Sequence, residues 1–198
     1  MKKNGTRERL FDASLKLISE KGYLGTTTRE ISRTAGVTEL TLFRHFGSKQ
    51  RLFEELLGQH MFLPALRELL PGLQSLPYTL ALRTIAAQFL TSLKERKPLV
   101  KIMHAEIHLY PGEVRKIYHQ LIDGTARTLA GYFTSLQKKG LLRGFSSHLA
   151  ARAFLGMLFS YFRAEEIMKG TEIGKKKMAR DVSEFVDIFI NGTLRKGT

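Results

Sequence analysis

Residues 26–52 read TTTREISRTAGVTELTLFRHFGSKQRL, and the spacing within them decides the fold. Thr27 and Glu30 stand three apart just ahead of Ile31, the pattern of a capping box in which each side chain satisfies a free backbone N–H at a helix start. The helix is short, because Gly36 follows Ala35 and permits a tight turn with positive φ. A second start comes at once: Thr38 caps the next helix, with Val37 before it and Leu42 after it placed to form a hydrophobic staple. Leu42 and Phe46, four apart, mark the buried side of that helix, which leaves Glu39, Leu40, Thr41, Arg44 and His45 facing outward. Ser48 offers a third cap, followed by Lys49 and Arg51. Two short capped helices joined by a glycine turn make a helix-turn-helix unit, whose second helix is of the kind a DNA major groove accepts.

The rest of the chain repeats at helical spacing too. Residues 7–21 place Leu10, Ala13 and Leu17 on one stripe with Phe11, Leu15 and Ile18 beside it, and Gly22 ends the run. Pro64, Pro71 and Pro77, with Gly72 among them, predict a broken stretch that divides the chain. Beyond it, helices are expected at about 79–96, 98–109, 113–139, 147–168 and 175–195. No alternating apolar and polar segment is bounded by hairpin turns, so the fold class is all-α. The expected organisation is a three-helix helix-turn-helix DNA-binding domain over 1–52 and a helical domain over 53–198.

Composition narrows the function. With 198 residues, 43% of them hydrophobic, the chain can bury a real core. The absence of cysteine excludes disulfides, thiolate catalysis and Cys-type zinc sites. No run approaches the ~20 apolar residues of a membrane span, and the N-terminus lacks the apolar middle of a signal peptide, so a cytoplasmic protein without a membrane partner is expected. The net charge of +14 favours a polyanionic partner. Eleven of the basic and five of the acidic residues lie in 1–52, where the excess per residue is greater than in the remainder. Lys2, Lys3, Arg7 and Arg9 form a basic leading tail of the kind that reaches phosphates or a minor groove.

Residues 7–57 resemble the N-terminal domain of the TetR/AcrR family of transcriptional regulators. The likeness rests on RERLFDASLKLISEKGYLGTT, then EIS-x-x-AGVT, then TLFRHFGSKQRLF, in the family's order and spacing. The resemblance implies a symmetric homodimer on a palindromic double-stranded DNA operator, most simply a repressor released by a small-molecule inducer. Carried over by position, it implies phosphate contacts from Thr27 or Thr28 and an approach to bases and phosphates by Thr38, Glu39, Leu40 and Thr41. Phe43, Arg44 and His45 line the rest of the surface, and Lys49 anchors the backbone. Phe43 departs from the tyrosine common in the family and has no hydroxyl for a phosphate. Glu39 is repelled by phosphates; it serves either as an acceptor for a cytosine amino group or as a stabiliser of the helix N-terminus.

The same resemblance assigns dimerisation to the helices near 147–168 and 175–195, and an inducer pocket to the helices before them. Small residues Ala150, Ala151, Ala153 and Gly156 on the first, and a stripe of Met178, Val182, Phe185, Val186, Phe189 and Ile190 on the second, suit a bundle with partner helices. Bulky and polar side chains available to a pocket are Phe89, Met103, His104, His108, Tyr110, Tyr118, Phe154, Met157 and Tyr161. His104 and His108, four apart, share a helix face as two metal ligands would. Glu106, however, lies about 200° around the helix from His104, and no third ligand is evident. Neither catalytic nor metal-binding residues are expected, and no cofactor.

Overall fold

A computed structural model describes residues 5–194, and among them every regular element is helical. The helices are α1 (Thr6–Lys21), α2 (Thr28–Thr34), α3 (Glu39–Phe46), α4 (Lys49–His60), α5 (Phe62–Leu73), α6 (Tyr78–Glu95), α7 (Lys97–Glu106), α8 (Gly112–Lys138), α9 (Ser147–Phe162) and α10 (Lys175–Thr193). A 3₁₀ turn, Ile107–Leu109, follows α7, and a π turn, Arg163–Met168, extends α9. One isolated bridge joins Leu142 and Leu194. None of the described helices is long and apolar enough to cross a membrane.

The chain forms two compact units that interleave in sequence: the first runs to Met61 and takes in Arg96–Leu121, and the second comprises Phe62–Glu95 and the chain from Ile122 onward. In the first, α1 packs on α2, α4 and α7, and α3 joins α2 and α4. Leu10, Ile18, Ile31, Leu42, Phe46, Leu52, Phe53 and Leu56 from the N-terminal helices share one core with Leu99, Met103, Tyr110, Val114 and Ile117. The expected division at residue 52 therefore cuts through this core. Leu52 and Leu56 of α4 are buried in it, and the segment 96–121 completes it across a long gap in sequence.

In the second unit α6 packs against α5, α9 and α10. Phe133 of α8 lies at the centre, its ring 5.8 Å from Phe189 and 6.4 Å from Tyr78 and Phe145. The broken stretch expected from Pro64 to Pro77 is instead largely α5. Pro64 falls at the third helical position, where its missing N–H costs no intrahelical bond. Pro71 falls in the last turn, and Leu63, Leu66 and Leu73 are buried along the way. The helix capped by Ser48 ends at His60, with Met61 in extended conformation between α4 and α5.

The apolar stripe of α10 is partly covered within its own chain. Val182 and Val186 are buried, and Phe189 stacks 4.9 Å from Phe154 of α9. A helix this amphipathic finds cover on α6 and α9 of its own chain. What stays outside is a different face: Leu149, Ala153, Gly156 and Ser160 on α9, and Glu184, Ile188 and Asn191 on α10.

Candidate nucleic-acid interface

Three consecutive helix starts carry the caps read from the sequence. Thr27 Oγ1 accepts from the Glu30 N–H at 3.1 Å, and Glu30 Oε2 accepts in return from the Thr27 N–H at 3.0 Å. Thr38 Oγ1 accepts from the Thr41 N–H at 3.2 Å, and Ser48 Oγ from the Arg51 N–H at 3.1 Å. Between α2 and α3, Gly36 takes φ +67°, a left-handed conformation that an L side chain would strain. Val37 packs partly buried on the cluster that contains Leu42. The local sequence thus fixes how α3 leaves α2, and hence which face of α3 turns to solvent.

That face is formed by Leu40, Phe43, Arg44 and His45, all exposed, with Thr41 half-buried at its edge. Leu40 is 69% exposed and Phe43 43%, unusual for apolar side chains on a helix whose other side, Leu42 and Phe46, is fully packed. Thr41, Arg44 and His45 line a surface concavity of about 330 Å³. Cationic, hydroxyl and apolar groups side by side on one eight-residue helix suit phosphates, base edges and thymine methyls together.

The threonine hydroxyls, each with one hydrogen to give, are mostly engaged within the protein. Thr27 Oγ1 donates to Glu30 Oε2 at 3.0 Å, and Thr28 Oγ1 donates to Glu39 Oε1. Thr38 and Thr41 share a hydroxyl–hydroxyl bond of 2.8 Å, which leaves one of their two hydrogens available. A phosphate contact from Thr27 or Thr28 requires an exchange of partner. Lys49, at the first position of α4, holds its ammonium 4.2 Å above the Tyr23 ring. Burial there pushes it below its ordinary value, with the Glu30 charge opposing. Glu30 itself is held at about 2 by the Lys21 ammonium at 2.7 Å, then by the Thr27 N–H and hydroxyl.

Tyr23 was not legible as a functional residue, yet it links several of these groups. Its ring packs 4.8 Å from Phe53 and supports Lys49, while its N–H donates to the Tyr110 hydroxyl at 3.3 Å. Tyr110 in turn donates to Glu106 Oε2 at 3.2 Å, and burial pushes its phenol up to about 12. Gly22, at φ +75°, lies so close to this carboxylate that an added Cβ would fall 2.0 Å from Glu106 Oε2. An aromatic residue directly after a helix-ending glycine was the one available sign of this anchor.

Of the leading basic residues, Lys2 and Lys3 lie outside the described residues. Arg7 pairs with Glu55 and stacks on Phe11 and Phe46, at 5.5 and 5.2 Å from the ring centroids. The side chains proposed for a pocket are dispersed. Met103 and Tyr110 belong to the core of the first unit, Tyr118 packs at its margin, and His104 and His108 are exposed. In the second unit Phe89 stacks 5.1 Å from Phe62 and Phe154 is buried against Phe189. Met157 is half-buried, and the Tyr161 hydroxyl donates to Asp181 at 2.5 Å and accepts from Lys177 at 2.9 Å. Among the described residues no group of three or more His, Asp or Glu side chains could hold a metal.

Comparison with known proteins agrees with this geometry along most of the chain. Residues 10–56 match the family model described as bacterial regulatory proteins, tetR family. Residues 80–192 match that of the AefR-like transcriptional repressor, C-terminal domain. An uncharacterised HTH-type transcriptional regulator, YvkB of Bacillus subtilis, is 31% identical over 157 residues, 79% of this chain and 81% of that protein. Among solved structures, a TetR-family transcriptional regulator from Mesorhizobium loti superposes with a TM-score of 0.81 at 22% identity, covering 96% of this chain and 97% of its own. FadR from Bacillus subtilis, solved in complex with stearoyl-CoA, gives 0.73 at 20% identity, covering 93% and 98%.

Proposed function

The chain belongs to the TetR family of transcriptional regulators, and from that premise we propose that it is a repressor that binds a palindromic operator as a homodimer and is released by a small-molecule inducer. The observation that carries the reading is the outward face of α3, where Leu40, Phe43, Arg44 and His45 stand exposed on a helix fixed by caps at both its own start and that of α2. Two copies related by a two-fold axis present two such helices to major-groove segments one DNA turn apart, or a multiple of it. The protein acts in the cytoplasm, where its operator is.

The outward faces of α9 and α10 supply the dimer contact, since Ala153, Gly156 and Ser160 permit close helix approach beside Leu149 and Ile188. The inducer binds among the helices of the second unit, to which Phe89, Met157 and Tyr161, each half-buried, belong. The stearoyl-CoA complex of FadR makes a ligand with a long apolar portion the first class to screen. Inducer binding favours a conformer with a different half-site separation. It reaches the reading helix through α4, which follows α3 directly, and α8, whose first part belongs to the reading unit.

The test is selection of bound duplexes by the full chain from a randomised pool, followed by a measurement of mass in solution. An enriched inverted repeat bound by a dimer is expected. Thr41→Ala and His45→Ala should each weaken that binding while the dimer persists. A strictly monomeric protein with no preference among duplexes would overturn the reading.

A further inference from the structure

Thr28 and Glu39 stand eleven residues apart at the starts of different helices, yet they share a hydrogen bond. Neither helix needs that bond for its cap, because Thr27 caps α2 and Thr38 caps α3. A carboxylate that only complements the α3 N-terminus would do so from several rotamers. One gripped by a hydroxyl from the neighbouring helix is aimed. Thr28 donates to Oε1 and leaves Oε2 with no hydrogen bond from the described residues. Glu39 is half-buried beside exposed Leu40, at the end of the reading helix that meets base edges.

An ionised carboxylate can only accept hydrogen bonds. Phosphates repel it, and so do the guanine O6 and N7 and thymine O4 acceptors. Two groups in the major groove can donate to it: the amino groups of cytosine and adenine. Adenine presents N7, a second acceptor, beside its amino group, which leaves cytosine as the better match. We infer that Glu39 is a specificity-determining residue that accepts from a cytosine amino group in each operator half-site, with Thr28 as its positioning residue. The inference rests on the operator-reading function proposed above and adds the base that is read.

The experiment compares selection from a randomised duplex pool by the full-length wild type, Glu39→Ala, Glu39→Gln and Thr28→Val. The wild type should enrich an inverted repeat with cytosine at one symmetry-related position of each half-site, preferred over other bases by roughly five- to a hundredfold. Glu39→Ala should lose the preference at that position and keep the others. Glu39→Gln, which preserves size, should redirect it to adenine, whose N6 and N7 a side-chain amide matches. Thr28→Val should reduce the discrimination severalfold without changing the base chosen, an effect that mere loss of stability would not confine to one position. If Glu39→Ala returns the wild-type profile, or the position it alters is not cytosine, the inference is overturned while operator binding stands. If the wild type enriches no inverted repeat, the operator reading itself is overturned, and this inference with it.

Discussion

The outward face of α3 and the outward faces of α9 and α10 both keep large apolar side chains in solvent: Leu40 and Phe43 on the one, Leu149 at 67% exposure and Ile188 at 65% on the others. Their neighbours differ. On α3 the apolar groups alternate with Arg44, His45 and Thr41 over two turns, a mixture suited to a polar, charged and grooved partner. On α9 they are interspersed with Ala153, Gly156 and Ser160 over four turns, a surface suited to another helix. The chemistry of the neighbours thus distinguishes the face proposed for nucleic acid from the face proposed for a second copy.

The contrast can be broken first at the core beneath the reading face. Phe53 is fully buried, so Phe53→Ala should destabilise the protein by about 3–5 kcal/mol, read by chemical denaturation. Leu40→Ala should change stability by no more than about 0.5 kcal/mol yet weaken operator binding. Equal stability losses in the two variants would show that Leu40 is structural. Next, Ile188→Asp places a charge where the dimer contact is proposed. Self-association should weaken at least tenfold, about 1.4 kcal/mol, in sedimentation, while the helical content stays unchanged. Undiminished dimerisation would move the contact elsewhere.

Smaller effects sharpen the reading side. Thr38→Ala removes the cap of α3 and should cost about 1 kcal/mol, with weaker binding to all duplexes because the whole helix start loosens. The smallest effect is one of pH. Glu30 titrates normally at 4.5 and is held at about 2 in the fold. Its lowered value contributes stability that is present above pH 4.5 and is lost as pH falls toward 2. Glu30→Gln should flatten acid unfolding across that window; an unchanged profile would mean that the Lys21 and Thr27 contacts do not persist in solution.

What was legible in the sequence was local. The Thr27–Glu30 box, the Thr38 and Ser48 caps and the Gly36 turn depend on residues three or four apart, and periodicity exposes such contacts directly. The links made by folding left no such trace. Tyr23 and Tyr110 meet across 87 residues, and Thr28 and Glu39 join two helices. Tyr110 reads from sequence as pocket material and proves to be a core anchor. Pro64 and Pro71 misled because the cost of proline depends on its position in a helix, which composition does not disclose. The α10 stripe was recognised, but which surface it covers depends on where α6 lies.

The shared core of the first unit bears on how the protein is made. A ribosome releases the reading helices early, but Leu99, Met103, Tyr110, Val114 and Ile117, which complete their packing, emerge only after α5 and α6 have been synthesised. At ordinary elongation rates that interval lasts several seconds, about 5–20 residues each second. Through it the nascent helices α1 to α4 carry an unfinished apolar surface.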